Sequence, residues 1–185
     1  MEDFIFQPQG AVTRLVAIQG DITTVHADVI VNAANSSLMG GGGVDGAIHR
    51  VGGPAILAEC RQIVARRGPL PTGQAVMTAA GDLPARHVVH TVGPIWGAVT
   101  EEEAVARLAS CYRNSLDLAR EVDAKRVAFP SISTGVYHFP KPLAATTAVD
   151  SVRDWVAREQ GTVETVTFVC FGLIDLELYQ ELLAD

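Results

Sequence analysis

The sequence predicts an α/β domain with a central, largely parallel or mixed sheet and helices on both faces, and three observations carry that prediction. Short apolar, often β-branched runs alternate with longer amphipathic stretches along the whole chain. Two of those runs, around Val29 to Val31 and Val127 to Phe129, end abruptly in loops rich in glycine, asparagine or serine that lead straight into helices. No repeat, low-complexity segment or dividing linker breaks the pattern, so the 185 residues read as one domain, 1–185, with its core from about 14.

The elements follow in order. Residues 1–13 are irregular, with Phe4, Ile5 and Phe6 a candidate edge strand, and Arg14 to Gln19 is the first clear strand. It breaks at Gly20-Asp21-Ile22-Thr23, and residues 28–31 form a second, buried strand. From Asp45 to Arg66 apolar residues recur near helical spacing, but Gly52-Gly53-Pro54 divides the stretch into two helices. Gln74 to Ala79 and Arg86 to Val92 are strands separated by a turn at Gly81-Asp82-Leu83-Pro84. Glu101 to Glu121 is a helix whose three opening glutamates match the positive end of its dipole. Arg126 to Pro130 is a strand, Pro142 to Arg158 a helix, Val163 to Phe171 the last strand, and Leu176 to Leu183 a closing helix.

The stretch Asp28 to Arg50 carries the strongest functional signal. Its apolar run ends in Asn32-Ala33-Ala34-Asn35 and then in four glycines, Gly40 to Gly43. Glycine lets a ligand approach the main chain, at an entropic cost of roughly 0.5–1 kcal/mol inside regular structure. Four together describe a loop shaped around a bound molecule, and Asp45 follows as the cap of a helix whose free N–H groups suit phosphate. The stretch from Pro130 to Pro140 repeats the arrangement: Ser131, Ser133, Thr134 and the N–H groups around Gly135 could wrap a diphosphate without a lysine.

Composition narrows the partners. A formal charge of −7 disfavours general nucleic-acid binding, which rests on Lys and Arg displacing counterions. Cys60, Cys111 and Cys170 show no metal or redox spacing and sit in apolar surroundings, so they read as core thiols of a reducing, cytoplasmic compartment. No signal-like N-terminus or membrane-spanning run is present in the sequence, so no membrane partner is expected. A P-loop and a nucleophile elbow are both lacking. Gly41, Gly43 and Gly46 satisfy a dinucleotide-binding spacing, but the acidic residue about 20 positions on would be Glu59, inside a helix. His87 and His90 lie three apart in a strand, on opposite faces, and form no ligand pair.

Five ordered motifs, Gly20-Asp-Ile-Thr23, Val31-Asn-Ala-Ala-Asn35, Gly40 to His49, His90-Thr-Val-Gly-Pro94 and Pro130 to Tyr137, together resemble the macrodomains, most of all the MacroD-type branch with the bacterial O-acetyl-ADP-ribose deacetylases. The resemblance runs from about Arg14 to the C-terminus. It implies a three-layer α/β/α sandwich that binds ADP-ribose and cuts bonds at the distal ribose, acting on O-acetyl-ADP-ribose or on ADP-ribosylated proteins.

By the same resemblance, Asp21 accepts from the adenine amino group beside the Ile22 backbone, and Asn35 holds the distal ribose hydroxyls. Gly41, Gly42, Gly43 and Val44 on one loop, and Ser133, Thr134, Gly135, Val136 and Tyr137 on the other, close over diphosphate and ribose, with Phe171 flanking adenine. Asp45 is the residue expected to orient or activate water, with Asn35 as its catalytic companion. Asn32 is expected to bridge loops, and His49, four residues after Asp45 on one helix face, either to steady that carboxylate or simply to pack, an auxiliary residue at most. The residues after Phe171, Gly172-Leu173-Ile174, depart from relatives with acidic residues there. The zinc ligands of one microbial branch are not evident, so neither metal nor cofactor is expected. A non-catalytic ADP-ribose reader would share Asp21, Asn35 and the loops but would not need Asp45, and a regulatory protein-binding module is the third possibility.

Overall fold

The computed structural model describes residues 13–159 and 161–184. In chain order it forms β1 (Arg14–Gln19), a 3₁₀ turn (Ile22–Thr24), β2 (Val29–Ala34), α1 (Gly43–Gly52), α2 (Pro54–Arg67), β3 (Ala75–Ala79) and β4 (His87–Val92). There follow α3 (Glu101–Glu121), β5 (Arg126–Phe129), α4 (Lys141–Arg158), β6 (Thr165–Cys170) and α5 (Leu173–Ala184). The six strands lie in the order β1-β6-β5-β2-β4-β3. Among the described residues only β3 runs antiparallel to its neighbour; the other pairings are parallel. The expected mixed, largely parallel sheet is therefore present, without the strand order of a dinucleotide-binding doubly wound fold.

Strand alternation sorts the core into two layers. Val29, Val31, Val89, Val127, Phe129, Val166 and Phe168 face one side, where α3, α4 and α5 cover them. Ile30, Val88, Val92, Ala128 and Val169 face the other, against Ile48 of α1 and Ile56 and Cys60 of α2. Residues 32 and 90 have the parity of this second face, and the β2–β4 register pairs them directly. Two polar side chains are thereby set side by side under α1 and α2.

Local chemistry explains the element ends. Thr100 caps α3 by accepting from the Glu103 N–H at 3.2 Å, in front of the three glutamates. Gly53 ends α1 with φ +80, and Pro54 then opens α2. Asp28 Oδ2 accepts from the N–H groups of Lys125 and Arg126, each at 2.8 Å, tying the entry of β2 to that of β5. Some boundaries differ from the sequence reading. β2 continues to Ala34, so Asn32 lies within the strand, because parallel pairing to β4 persists through Ala34. α5 starts at Leu173, and β6 stops at Cys170 with Phe171 just beyond it. The candidate strand at Phe4 to Phe6 lies outside the described residues. Among the described residues no helix is long and apolar enough to cross a membrane.

The β5 end that carries the second loop is held by aromatic packing. The ring of Phe129 lies 4.9 Å from Tyr112 and 6.3 Å from Phe168, whose other neighbour is Tyr179 at 4.8 Å. Phe129→Ala therefore lowers the unfolding free energy by about 3–5 kcal/mol, the usual cost of removing a buried phenyl group. Urea titration with a fixed m-value checks this, and an unmoved midpoint would contradict it.

Candidate functional site

Parallel strands deliver their C-terminal ends to one edge of the sheet, and a cleft of about 310 Å³ opens there. One wall is Ala33 to Asn35 at the end of β2 with Gly41, Gly42, Gly43, Val44 and Asp45. The other is the loop after β5, with Ser131 to Ser133 and Gly135 to Tyr137, and Gly93 at the end of β4 closes the floor. Both loops singled out in the sequence thus line one cavity.

Helix α1 starts at Gly43, two residues before the sequence reading placed it. Its N-cap is Gly42, which makes no side-chain capping bond, and Asp45 is the third helical residue. The expected capping role of Asp45 is therefore incorrect: the glycines enter the helix directly, Gly42 takes the N-cap position, and Asp45 lies within the first turn. The side chain is then free to turn inward. The first N–H groups of α1 have no intrahelical acceptor, and their residues line the cleft.

Asp45 is almost fully buried, its side chain 7% exposed. Its Oδ1 accepts from Asn32 Nδ2 at 2.8 Å. His49 Nε2 stands 3.4 Å from the same oxygen, where the spacing of one helical turn puts it, but makes no hydrogen bond. Burial pushes the Asp45 pKa up, against the opposing effects of the Asn32 hydrogen bond and the His49 charge. A Cβ on Gly41 would come within 3.2 Å of Asp45 Oδ2 and 3.4 Å of Asn35 Nδ2, so the glycine lets the loop sit against both groups. At Gly46 a Cβ would lie 2.4 Å from the Gly41 carbonyl oxygen, so loop and helix could not close with any larger residue.

Asn35 spends part of its amide on the loop: Nδ2 donates to the Gly40 carbonyl at 3.0 Å, and Oδ1 accepts from the Ser37 N–H at 3.1 Å. On the opposite wall Ser133 adopts φ +66, and its buried Oγ has no hydrogen-bond partner. Gly93 explains how β4 meets that loop, because a Cβ there would fall 2.1 Å from Ser133 Oγ. Thr134 braces the loop instead of lining the cleft, its Oγ1 donating to the Ser131 carbonyl at 2.9 Å. Val136 is 86% exposed at the rim.

Asp21, Ile22 and Phe171 stand apart from this cavity wall, at the ends of β1 and β6. Asp21 Oδ1 accepts from the N–H and hydroxyl of Thr23, at 2.9 and 2.7 Å, and caps the 3₁₀ turn while its residue stays exposed. Ile22 is buried, whereas Phe171 is 87% exposed, an unusual position for a phenylalanine with no role. The Gly20 N–H donates to the Cys170 carbonyl at 3.0 Å, holding the two strand ends together.

Sequence reasoning did not find Ala33, Ala34, Gly93 and Ile132 in the wall, nor His90 behind Asp45. Small residues at strand ends and a strand histidine carry little signal before the register is known. His90 is fully buried, with Nδ1 3.0 Å from Asn32 Nδ2 and Nε2 3.0 Å from Thr78 Oγ1. Burial, with the charge of His49 adding, pushes its pKa down to about 3.

Ligand atoms of His49, Cys60 and His90 lie within 4.8 Å of one another, a spacing a transition metal could bridge. Yet His90 Nε2 already bonds Thr78, and burial, with the Asp45 and Glu59 carboxylates, pushes the Cys60 thiol up to about 11. A metal would have to break that bond and ionise that thiol.

The chain matches the family described as "Macro domain" over residues 31–148. It is 56% identical to an O-acetyl-ADP-ribose deacetylase of Enterobacter cloacae, over 93% of this chain and 94% of the relative. Among solved structures it resembles the Oceanobacillus iheyensis macrodomain with ADP, at 42% identity and TM-score 0.87, covering 91% of this chain and 89% of that one. A Trypanosoma brucei macrodomain in complex with ADP-ribose is similar at 37% identity and TM-score 0.82, over 91% of this chain and 68% of that one.

The histidine behind the carboxylate has a consequence for stability. Its folded pKa of about 3 lies below the unfolded value near 6.5. Between those values the unfolded chain binds the extra proton, so this contribution to stability is present above about 6.5 and is lost as pH falls. Urea unfolding at pH 7 and at pH 4.5 is expected to give a steeper loss for the native protein than for His90→Gln. Equal slopes would show that the ring is not held neutral.

Proposed function

The chain belongs to the macrodomain family, and on that premise we propose that it is an ADP-ribose-binding hydrolase. The reaction is deacetylation of O-acetyl-ADP-ribose, removal of mono-ADP-ribose from acidic side chains of proteins, or both. The observation that carries this reading is a buried carboxylate of raised pKa lining the same cleft as a helix N-terminus and two main-chain loops.

In this reading the diphosphate lies against the N–H groups at Gly42 to Val44 and at Ser133 to Val136, which bind anions without added positive charge. That suits a protein of net charge −7. Asn35 Nδ2 keeps a second hydrogen for a distal ribose hydroxyl, and Tyr137 packs on that sugar. Asp45 takes a proton from water as the water attacks either the acetyl carbonyl, releasing acetate and leaving the ribose hydroxyl, or the ribose carbon of the protein linkage, releasing the side-chain carboxylate, a role worth about 10²–10⁴-fold. Its raised pKa makes it a stronger base than an exposed carboxylate. At the other end Asp21 accepts from the adenine amino group beside Ile22, and the exposed Phe171 ring flanks the base. No metal takes part, and the three free, buried cysteines fit a cytoplasmic setting.

Purified protein incubated with O-acetyl-ADP-ribose and with a glutamate-linked ADP-ribosylated protein, each with a chelator present, tests the reaction; product from neither, with ADP-ribose still bound, would make the chain a reader. Asp45→Ala is expected to cut turnover at least about tenfold while ADP-ribose binding stays within several-fold. Turnover needs ionised Asp45, so it is present above that group's pKa and lost as pH falls through it. The acid limb of the native pH profile should accordingly lie above that of an exposed aspartate. Asp21→Ala is expected to weaken ADP-ribose binding by about 1–3 kcal/mol in calorimetry, the scale of a lost charged hydrogen bond. Unchanged affinity would remove Asp21 from the site.

A further inference from the structure

Behind Asp45 runs a line of four hydrogen-bonding groups from three strands, and its polarity follows from donor and acceptor chemistry. An ionised carboxylate only accepts, so the Asn32 group 2.8 Å from Asp45 Oδ1 must be the amide NH₂. The same nitrogen lies 3.0 Å from His90 Nδ1 and has one hydrogen left, so Nδ1 must be the bare nitrogen of the ring. A neutral imidazole then carries its hydrogen on Nε2, which points to Thr78 Oγ1 at 3.0 Å. Thr78 Oγ1 accepts that bond, and its own hydrogen goes to the Ala79 carbonyl at 2.9 Å. The chain begins at a backbone carbonyl at the end of β3 and ends on the carboxylate.

We propose that Thr78 and His90 are positioning residues, which act through Asn32 to hold the Asp45 carboxylate with Oδ1 tied down and Oδ2 turned toward Gly41 and Asn35. Thr78, His90, Asn32 and Asp45 are each buried, so the bonds between them are costly to leave unmade. Asn32 illustrates the point: both amide hydrogens are spent, while its Oδ1 is buried with no hydrogen-bond partner. Were Nδ1 a donor instead of an acceptor, the ring would draw the amide to rotate and offer Oδ1, against the demand of the carboxylate for NH₂. Rotation would set the amide oxygen against the carboxylate. The low pKa of His90 supports the scheme, because a protonated ring would carry a hydrogen on Nδ1 and repel the amide NH₂.

Thr78→Val keeps the shape of the side chain and removes the hydroxyl, whereas Thr78→Ser keeps the hydroxyl. The inference rests on the catalytic reading of Asp45, and the test has a part that does not. Long-range ¹⁵N–¹H spectra of the histidine rings are expected to show His90 as the Nε2–H tautomer in the native protein and in Thr78→Ser, and a mixture of tautomers in Thr78→Val. An Nδ1–H ring in the native protein overturns the scheme, whatever Asp45 does. In turnover assays Thr78→Val is expected to lower kcat about five- to tenfold with KM within about twofold, as for a misplaced catalytic group. Thr78→Ser should recover the native kcat. A kcat unchanged in Thr78→Val, a loss that serine does not rescue, or a matching rise in KM would each overturn the positioning role. On an Asp45→Ala background Thr78→Val should have no further effect on residual turnover; an additional fivefold loss would show that Thr78 acts elsewhere. If Asp45→Ala itself retains full turnover, the catalytic reading of Asp45 fails while the tautomer result stands.

Discussion

A single hydrogen bond, from the Asn32 amide to the Asp45 carboxylate, is the constraint on which the site depends. A buried carboxylate loses several kcal/mol of hydration unless polar partners replace it. Here the partner comes from the middle of the sheet and not from solvent. Strand parity makes this possible: residues 30, 32 and 34 of β2 share the face covered by α1 and α2, and Asn32 occupies a place in that row where a core residue would ordinarily stand. The register then puts His90 of β4 beside it. A polar line is thus built into the side of the core that faces the cleft, and the opposite face, under α3, α4 and α5, carries the aromatic packing.

The glycine loop serves the same constraint from above. Because Gly42 and Gly43 lead into α1 without a side-chain cap, the helix axis can start at the cleft, and Asp45 lands on its inward side one turn before His49. Gly46 permits the loop to lie on the helix at a distance that no larger residue could share, and Gly41 fits closely against Asp45 and Asn35. The second loop is fixed from below, where Gly93 accommodates Ser133 and the aromatic stack under Phe129 anchors the end of β5. Two main-chain surfaces therefore face each other across a cavity lined largely by glycine and small residues, and its one carboxylate is held from behind. An acidic protein can bind an anionic ligand in such a place because the attraction is local and directional.

Much of this was legible in the sequence. The alternation of short apolar runs with amphipathic stretches yielded the mixed sheet with helices on both faces, and nearly every element sits where the pattern put it. The glycine run, the serine-rich loop and Asp45 stood out because such residues have no use inside a packed core, and all of them meet at one cleft. The resemblance to macrodomains was carried by ordered motifs, and family membership agrees with it. The cap assigned to Asp45 was wrong, since glycine can open a helix without a side-chain partner and the sequence does not say which way the carboxylate turns.

What the amino-acid sequence alone determined was the fold class, the two loops and the acidic residue between them, because periodicity and backbone freedom are local properties written in consecutive residues. Only the tertiary structure decided that Asn32 faces Asp45, that His90 and Thr78 stand behind it, and that Gly93 belongs to the wall. Those relations depend on strand register and on which face of the sheet each helix covers, and pairings between residues as far apart as 32 and 90 are settled only when the whole core packs.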